Sequence, residues 1–216
     1  MKRIAIVIFD HFTDIDLFLM WDILGRCGGA VRVSLLGAQA QHHSAHSLPV
    51  RTHGPLSDAS RADAVLFTSG KSGVPKFLAD RANLDSLSLD PRRQLIGSIC
   101  AGSFILAKLG LLREGPATTH PEASVALAAC GMQVVDRPLV CRGNVVTAGG
   151  CLSALYLTGW IVERLLGQRA RVDVLRELLP AGQREVYEAL IEASIRESTD
   201  PVHEAPAGRA LQLFPR

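Results

Sequence analysis

The sequence predicts an α/β fold, a mostly parallel β-sheet with helices on both faces. Three observations carry this. Short apolar runs of strand length alternate with segments of helical periodicity from residue 3 to residue 167. The first run, Arg3 to Phe9, is rich in β-branched residues and apolar from Ile4 on, as expected of a strand covered on both faces. A later run, Gln94 to Ile99, turns into a helix through Cys100-Ala101-Gly102-Ser103, a turn of small residues such as parallel sheets use between strand and helix.

The elements follow in order. After the first strand, Asp16 to Gly25 sets Leu17, Met20, Trp21 and Leu24 at helical spacing. Val31 to Leu36 is the second strand. Gln39 to His53 is polar and histidine-rich and reads as a loop or an edge ribbon. His42, His43 and His46 within it are read as loop residues, because no carboxylate or cysteine cluster accompanies them. Ala62 to Phe67 is the third strand, and the turn from Thr68 to Gly73 leads to a helix ending near Leu89. Gln94 to Ile99 is the fourth strand, with a helix from Ala101 to Leu112 after it. Shorter strand signals lie at 132–135, 139–142 and 144–147, and Leu152 to Leu166 is a long apolar helix. Arg171 to Leu179 and Gln183 to Ile195 form two amphipathic helices. The expected organisation is a domain over 1–167, a helical extension packed on it over 168–198, and a flexible proline-containing tail over 199–216.

The composition narrows the function. The chain of 216 residues is 48% hydrophobic and 20% charged, with a net charge of +2. No lysine- or arginine-rich run supplies the footprint of a nucleic-acid binder, and the stretch after Gly167 lacks the basic character of a recognition helix. No apolar stretch reaches the roughly 18 residues that suggest a membrane span. Asp10, Asp14 and Asp16 interrupt the apolar N-terminus too early for a signal peptide. The five cysteines, at 27, 100, 130, 141 and 151, are odd in number and contain no CxxC pair. That favours reduced thiols in a cytoplasm over a disulfide framework or a zinc site.

Cys100 stands apart from the other four. It would lie at the carboxyl end of a parallel strand, where open α/β sheets place ligands. It would also lie near a helix N-terminus, whose partial positive charge favours a thiolate. The same geometry underlies the nucleophile elbow of hydrolases. Cys27, Cys130, Cys141 and Cys151 lack this context and are read as structural thiols. Asp16 has two readings, an acid facing the thiol or an N-cap of the helix that begins there, with Asp14 competing for either. His120 is open between a base, a ligand donor and a satisfied half-buried histidine.

The segment Ser98-Ile99-Cys100-Ala101-Gly102-Ser103-Phe104-Ile105-Leu106-Ala107, continued by Gly110-Leu111-Leu112, resembles the nucleophile region of the ThiJ/PfpI family of the class I glutamine amidotransferase-like superfamily. Phe12-Thr13-Asp14-Ile15-Asp16, Ala117-Thr118-Thr119-His120 and Val146-Thr147-Ala148-Gly149-Gly150 follow in the expected order, and Val162 to Gly167 resembles the closing helix. Within the family, the resemblance is to isonitrile hydratase and to the amidase-like domains of AraC-type regulators. It implies a flavodoxin-like sheet with a nucleophile elbow at Cys100 and an acidic residue, Asp16, opposite it. It further implies a small-molecule substrate, a homodimer, and chemistry without cofactor or metal. The expected reaction is hydration of an isonitrile through a Cys100 thiolate with Asp16 as acid and base. Gly70 or Lys71, together with Ala101, would supply backbone N–H groups to developing negative charge, and His120 would line the site. The competing expectation is a redox or ligand sensor built on the same Cys100 pocket.

Three positions depart from the family pattern. Ala101 stands where isonitrile hydratase-like members carry threonine and protease-like members carry histidine, so an adjacent Cys–His pair is excluded. Ser69-Gly70-Lys71 replaces a Pro-Gly-Gly turn and brings the Lys71 side chain near the site. Cys151 directly follows the glycine pair Gly149-Gly150.

Overall fold

The computed structural model describes residues 1–113 and 115–199. The strands are β1 (Lys2–Val7), β2 (Val31–Gly37), β3 (Gln41–His43), β4 (Pro49–Arg51), β5 (Gly54–Pro55), β6 (Ala64–Phe67), β7 (Leu95–Ile99), β8 (Pro116–Ala117), β9 (Gln133–Val134), β10 (Leu139–Arg142) and β11 (Val145–Ala148). The helices are α1 (Asp14–Gly25), α2 (Gly73–Ala79), α3 (Arg81–Asp85), α4 (Ser103–Lys108), α5 (Ser124–Ala129), α6 (Ala154–Leu166), α7 (Gln168–Arg176) and α8 (Arg184–Glu197).

Seven strands form the main sheet in the order β10-β11-β7-β6-β1-β2-β5. All neighbours pair in parallel except β10, which returns antiparallel to β11. The β1 to β2 crossover runs one way along the sheet, and the steps from β6 to β7 and from β7 to β11 run the other way. Crossovers of this kind are right-handed, so the reversal puts helices on both faces. It also opens a crevice between β1 and β6 at the carboxyl edge, where the strand order switches. Helix α1 packs against α6 on one face, and α2 packs against α4. The central strands β1, β6 and β7 supply Ile4, Ile6, Val65, Leu66, Ile96 and Ile99 to the core, each at most 1% exposed.

Several elements differ from the sequence reading, each for a local reason. The helix expected from Gly73 to Leu89 is two, because Asp80 leaves helical geometry and its side chain accepts from the Ala82 N–H at 3.0 Å. The helix after Cys100 opens with a 3-10 turn, Cys100–Gly102, and α4 then ends at Lys108, ahead of Gly110 at φ +77°. Gln39 to His53 contains the antiparallel ribbon β3–β4, and β9 pairs with β8 away from the main sheet. The C-terminal helices begin at Gln168 and Arg184, and Gly167, at φ +95°, makes the break that precedes the first.

Helices α7 and α8 pack on α6 and on each other. Arg171 holds the three together. Its side chain is 3% exposed, its Nε lies 2.6 Å from Glu163 on α6, and its guanidinium also pairs with Glu192 on α8. Gly159 permits this approach, since a Cβ there would stand 3.0 Å from Leu175 and 3.2 Å from Ile195. Of the tail expected over 199–216, only Thr199 is within the described residues. Among the described residues no helix is long and apolar enough to cross a membrane.

Candidate active site

The site is assembled at the carboxyl edge from the segments that follow four adjacent parallel strands. Asp16 comes after β1, Ser69 after β6, Cys100 after β7 and Cys151 after β11.

The segment after β1 is docked tightly on the one after β6. His11 takes the left-handed conformation at φ +62°, and its carbonyl presses on Gly70, where a Cβ would stand 2.2 Å away. Only glycine fits there. The Thr13 N–H donates to the Ser69 carbonyl at 2.7 Å. Helix α1 begins at Asp14 behind Thr13, so Asp16 lies inside its first turn and is fully buried. The capping reading of Asp16 is therefore corrected: the N-cap position belongs to Thr13, and Asp16 points into the site. Its Oδ2 accepts a hydrogen bond of 2.5 Å from the Ser69 hydroxyl. Asp14 turns away and pairs with His46 at 2.8 Å.

Cys100 is held in a strained backbone. It has φ +50°, unfavourable for a residue with a Cβ. Gly102 lets the turn lie on the end of β6, since a Cβ there would meet the Thr68 carbonyl at 2.7 Å. The Cys100 carbonyl accepts from the Thr119 hydroxyl at 3.0 Å and the Ser103 hydroxyl at 3.2 Å. The thiol, on a side chain 3% exposed, lies 3.7 Å from Asp16 Oδ1 and 3.6 Å from the Cys151 sulfur.

The remaining expected residues occupy three settings. Gly70 is buried under His11, and Ala101 is half-buried in the turn beside Cys100. Lys71 is exposed. His120 is half-buried, and its Nδ1 accepts from the Glu122 N–H at 3.3 Å, capping the short turn Pro121–Ala123. His42, His43 and His46 turn to Asp10 and Asp14 and form no common site.

The electrostatics differ from the expectation of a standing thiolate. Burial is the first cause that pushes the Cys100 thiol upward, and the Asp16 charge adds to it. Helix α4 starts only at Ser103, three residues on, so its N-terminus does not offset these. Asp16 is itself raised by burial, against the hydrogen bonds from Ser69, Cys151 and Cys100. Two anions cannot both persist in this space, so the pair retains a proton between them. Asp16 is thus placed to take the thiol proton when sulfur attacks and to return it afterwards.

Cys151, which the sequence groups with the structural thiols, stands in the site. Its sulfur, the Cys100 sulfur and an Asp16 oxygen lie within 4.8 Å of one another, the one such three-residue cluster among the described residues. These are donors of a kind that could hold a thiophilic ion. Ser69 and Thr119 are further site residues that the sequence reading did not single out. A signal existed for Cys151: like Cys100, it follows a parallel strand through small residues, Ala148-Gly149-Gly150, and precedes a helix.

Comparison with known proteins bears on this site. The DJ-1/PfpI family model matches residues 2–164. The dj-1beta protein of Drosophila melanogaster is 24% identical over 183 residues, covering 83% of this chain and 98% of that protein. Protein DJ-1alpha of the same organism is 27% identical over 118 residues, 54% of each chain, so that match spans about half the length of the relative. A solved ThiJ/PfpI family protein from Pseudomonas syringae has the same fold, with a TM-score of 0.75 and 21% identity over 91% of this chain and 88% of its own.

Proposed function

The chain belongs to the DJ-1/PfpI family, and on that premise we propose that it is a cysteine-dependent enzyme acting on a small electrophile, with isonitrile hydration as its reaction. The observation that carries this reading is the buried Cys100 thiol 3.7 Å from the Asp16 carboxylate at the strand-order switch.

In this reaction Asp16 accepts the thiol proton as sulfur bonds to the terminal carbon of R–NC. The proton then passes to that carbon, leaving a thioimidate on Cys100. Water adds to the C=N bond, the C–S bond breaks, and the thiol regains its proton as an N-substituted formamide leaves. Negative charge that develops on the bound substrate is met by backbone N–H groups of Gly70, Lys71 and Ala101, with His120 at the margin. The test is formamide production from a small alkyl isonitrile, followed by mass spectrometry under reducing conditions. Formation that stops in Cys100→Ser supports the reading. Absence of both formamide and any Cys100 adduct overturns it.

A homodimer is part of the proposal. Ile15 and Phe18 on α1 are 44% and 39% exposed, and Leu48 is 46% exposed in the loop that His46 ties to Asp14 at the start of that helix. Such a patch suits a self-complementary contact. Light scattering at tens of micromolar is expected to give twice the 23.2 kDa chain mass, and a clean monomer would count against it.

A further inference from the structure

We propose that Cys151 is a resolving thiol for Cys100, so that the site reduces hydroperoxides by closing a Cys100–Cys151 disulfide. This activity is separate from hydration and does not depend on it.

The geometry supports closure. The two sulfurs are 3.6 Å apart, and a disulfide bond is about 2.05 Å long, so the sulfurs must approach by roughly 1.5 Å. Cys151 lies in a single 3-10 turn, Cys151–Ser153, just after Gly150 at φ +97°. The backbone before it is held, since the Gly149 carbonyl accepts from the Ser153 hydroxyl at 2.9 Å and the Gly150 carbonyl from the Ser153 N–H at 3.0 Å. The Cys100 carbonyl is held in turn by the Thr119 and Ser103 hydroxyls, so the approach falls to rotation of the two side chains with a small shift of the turn. Accessibility is divided in the sense a reductant needs. Cys100 is 3% exposed, whereas Cys151 is half-buried, so an external thiol would reach the Cys151 sulfur first. The other cysteines lie elsewhere: Cys27 after α1, Cys130 after α5 and Cys141 in β10.

The steps balance. Asp16 takes the Cys100 proton, and the sulfur attacks one peroxide oxygen of ROOH. The O–O bond breaks, RO⁻ leaves as ROH with the proton from Asp16, and Cys100 becomes a sulfenic acid. The Cys151 sulfur then attacks the Cys100 sulfur. The S–O bond breaks, hydroxide leaves as water with the Cys151 proton, and the S–S bond forms. Two electrons have passed from two thiols to the peroxide, and an external dithiol restores both thiols by exchange. Without Cys151, the sulfenic acid meets a second peroxide and becomes a sulfinic acid, which dithiols do not reverse.

The experiment treats the reduced, chelator-washed protein with a small molar excess of hydrogen peroxide, quenches with N-ethylmaleimide, and maps the five cysteines by mass spectrometry. The expected result for the natural chain is a loss of two hydrogen masses, a cross-linked peptide pair containing Cys100 and Cys151, and return of both thiols with dithiothreitol. Cys151→Ser is expected to gain two oxygen masses on Cys100, with no recovery. Sulfinic acid on Cys100 of the natural chain, at the same rate as in Cys151→Ser and with Cys151 still alkylated, would overturn the proposal. The isonitrile assay contains no oxidant and the thiol map contains no isonitrile, so each reading fails independently.

Discussion

Replacing Cys100 by glycine is expected to abolish turnover and to leave the protein more stable than Cys100→Ala. Both variants lose the sulfur, and with it the nucleophile, which costs roughly a thousandfold or more in rate where one group does the attacking. They part on stability because of the backbone. At φ +50°, Cys100 sits in the left-handed region, where a Cβ costs about 1 kcal/mol or more relative to glycine. Alanine keeps that cost, and glycine removes it. In ordinary positions the order is reversed, since glycine has more freedom to lose on folding. For a chain of this size the difference corresponds to about 2–4 °C in Tm, readable by calorimetry on the two purified variants. An alanine variant as stable as the glycine one would show that the turn carries no strain. Turnover near the wild-type rate in either would remove the Cys100 sulfur from the reaction. The expected pattern places strain where the chemistry is, with the Thr119 and Ser103 hydroxyls and the close contact at Gly102 holding the turn in place.

The features legible in the sequence were those written within one element. The β1 run from Ile4 onward is apolar and the β7 run is buried along its whole length because both faces of a parallel sheet are covered, and the small residues around Cys100 mark a turn that leaves no space for larger ones. Asp16 was visible as a candidate, but a residue three positions into α1 and one just before it look alike until the helix start is known. Ser69, Thr119 and Cys151 were harder for another reason. Each meets Cys100 or Asp16 only through strand order, at separations of 19 to 53 residues. No periodicity reports which strands become neighbours, so a cysteine behind two glycines reads as structural until β11 is seen beside β7. Likewise, the break at Asp80 rests on one side-chain cap, which a continuous helical pattern conceals.

Asp16→Asn is expected to reduce turnover by about a hundred- to ten-thousandfold while raising stability at neutral pH. The loss follows from the geometry. Asparagine can still accept from the Ser69 hydroxyl and donate toward the Cys100 sulfur, but it cannot take the thiol proton and return it. The gain follows from burial, which raises the Asp16 pKa above its ordinary value of 3.8. A carboxyl raised in the folded state favours folding at low pH, and that advantage is lost as pH rises through the folded pKa, because the buried group must then ionise. Below pH 3.8 both states carry the protonated acid, so wild type and Asp16→Asn should melt alike apart from a constant offset. Above it, wild type should fall progressively behind. The slope of the Tm difference with pH thus reads Asp16 alone, and the rate reads its proton transfer. Asp14→Asn is the control: its partner is His46, a residue 84% exposed, and its loss should leave the rate near wild type. A Tm difference that does not change with pH would mean that Asp16 is not raised by burial. Equal rates for Asp16→Asn and Asp14→Asn would mean that the Cys100 thiol finds its base elsewhere.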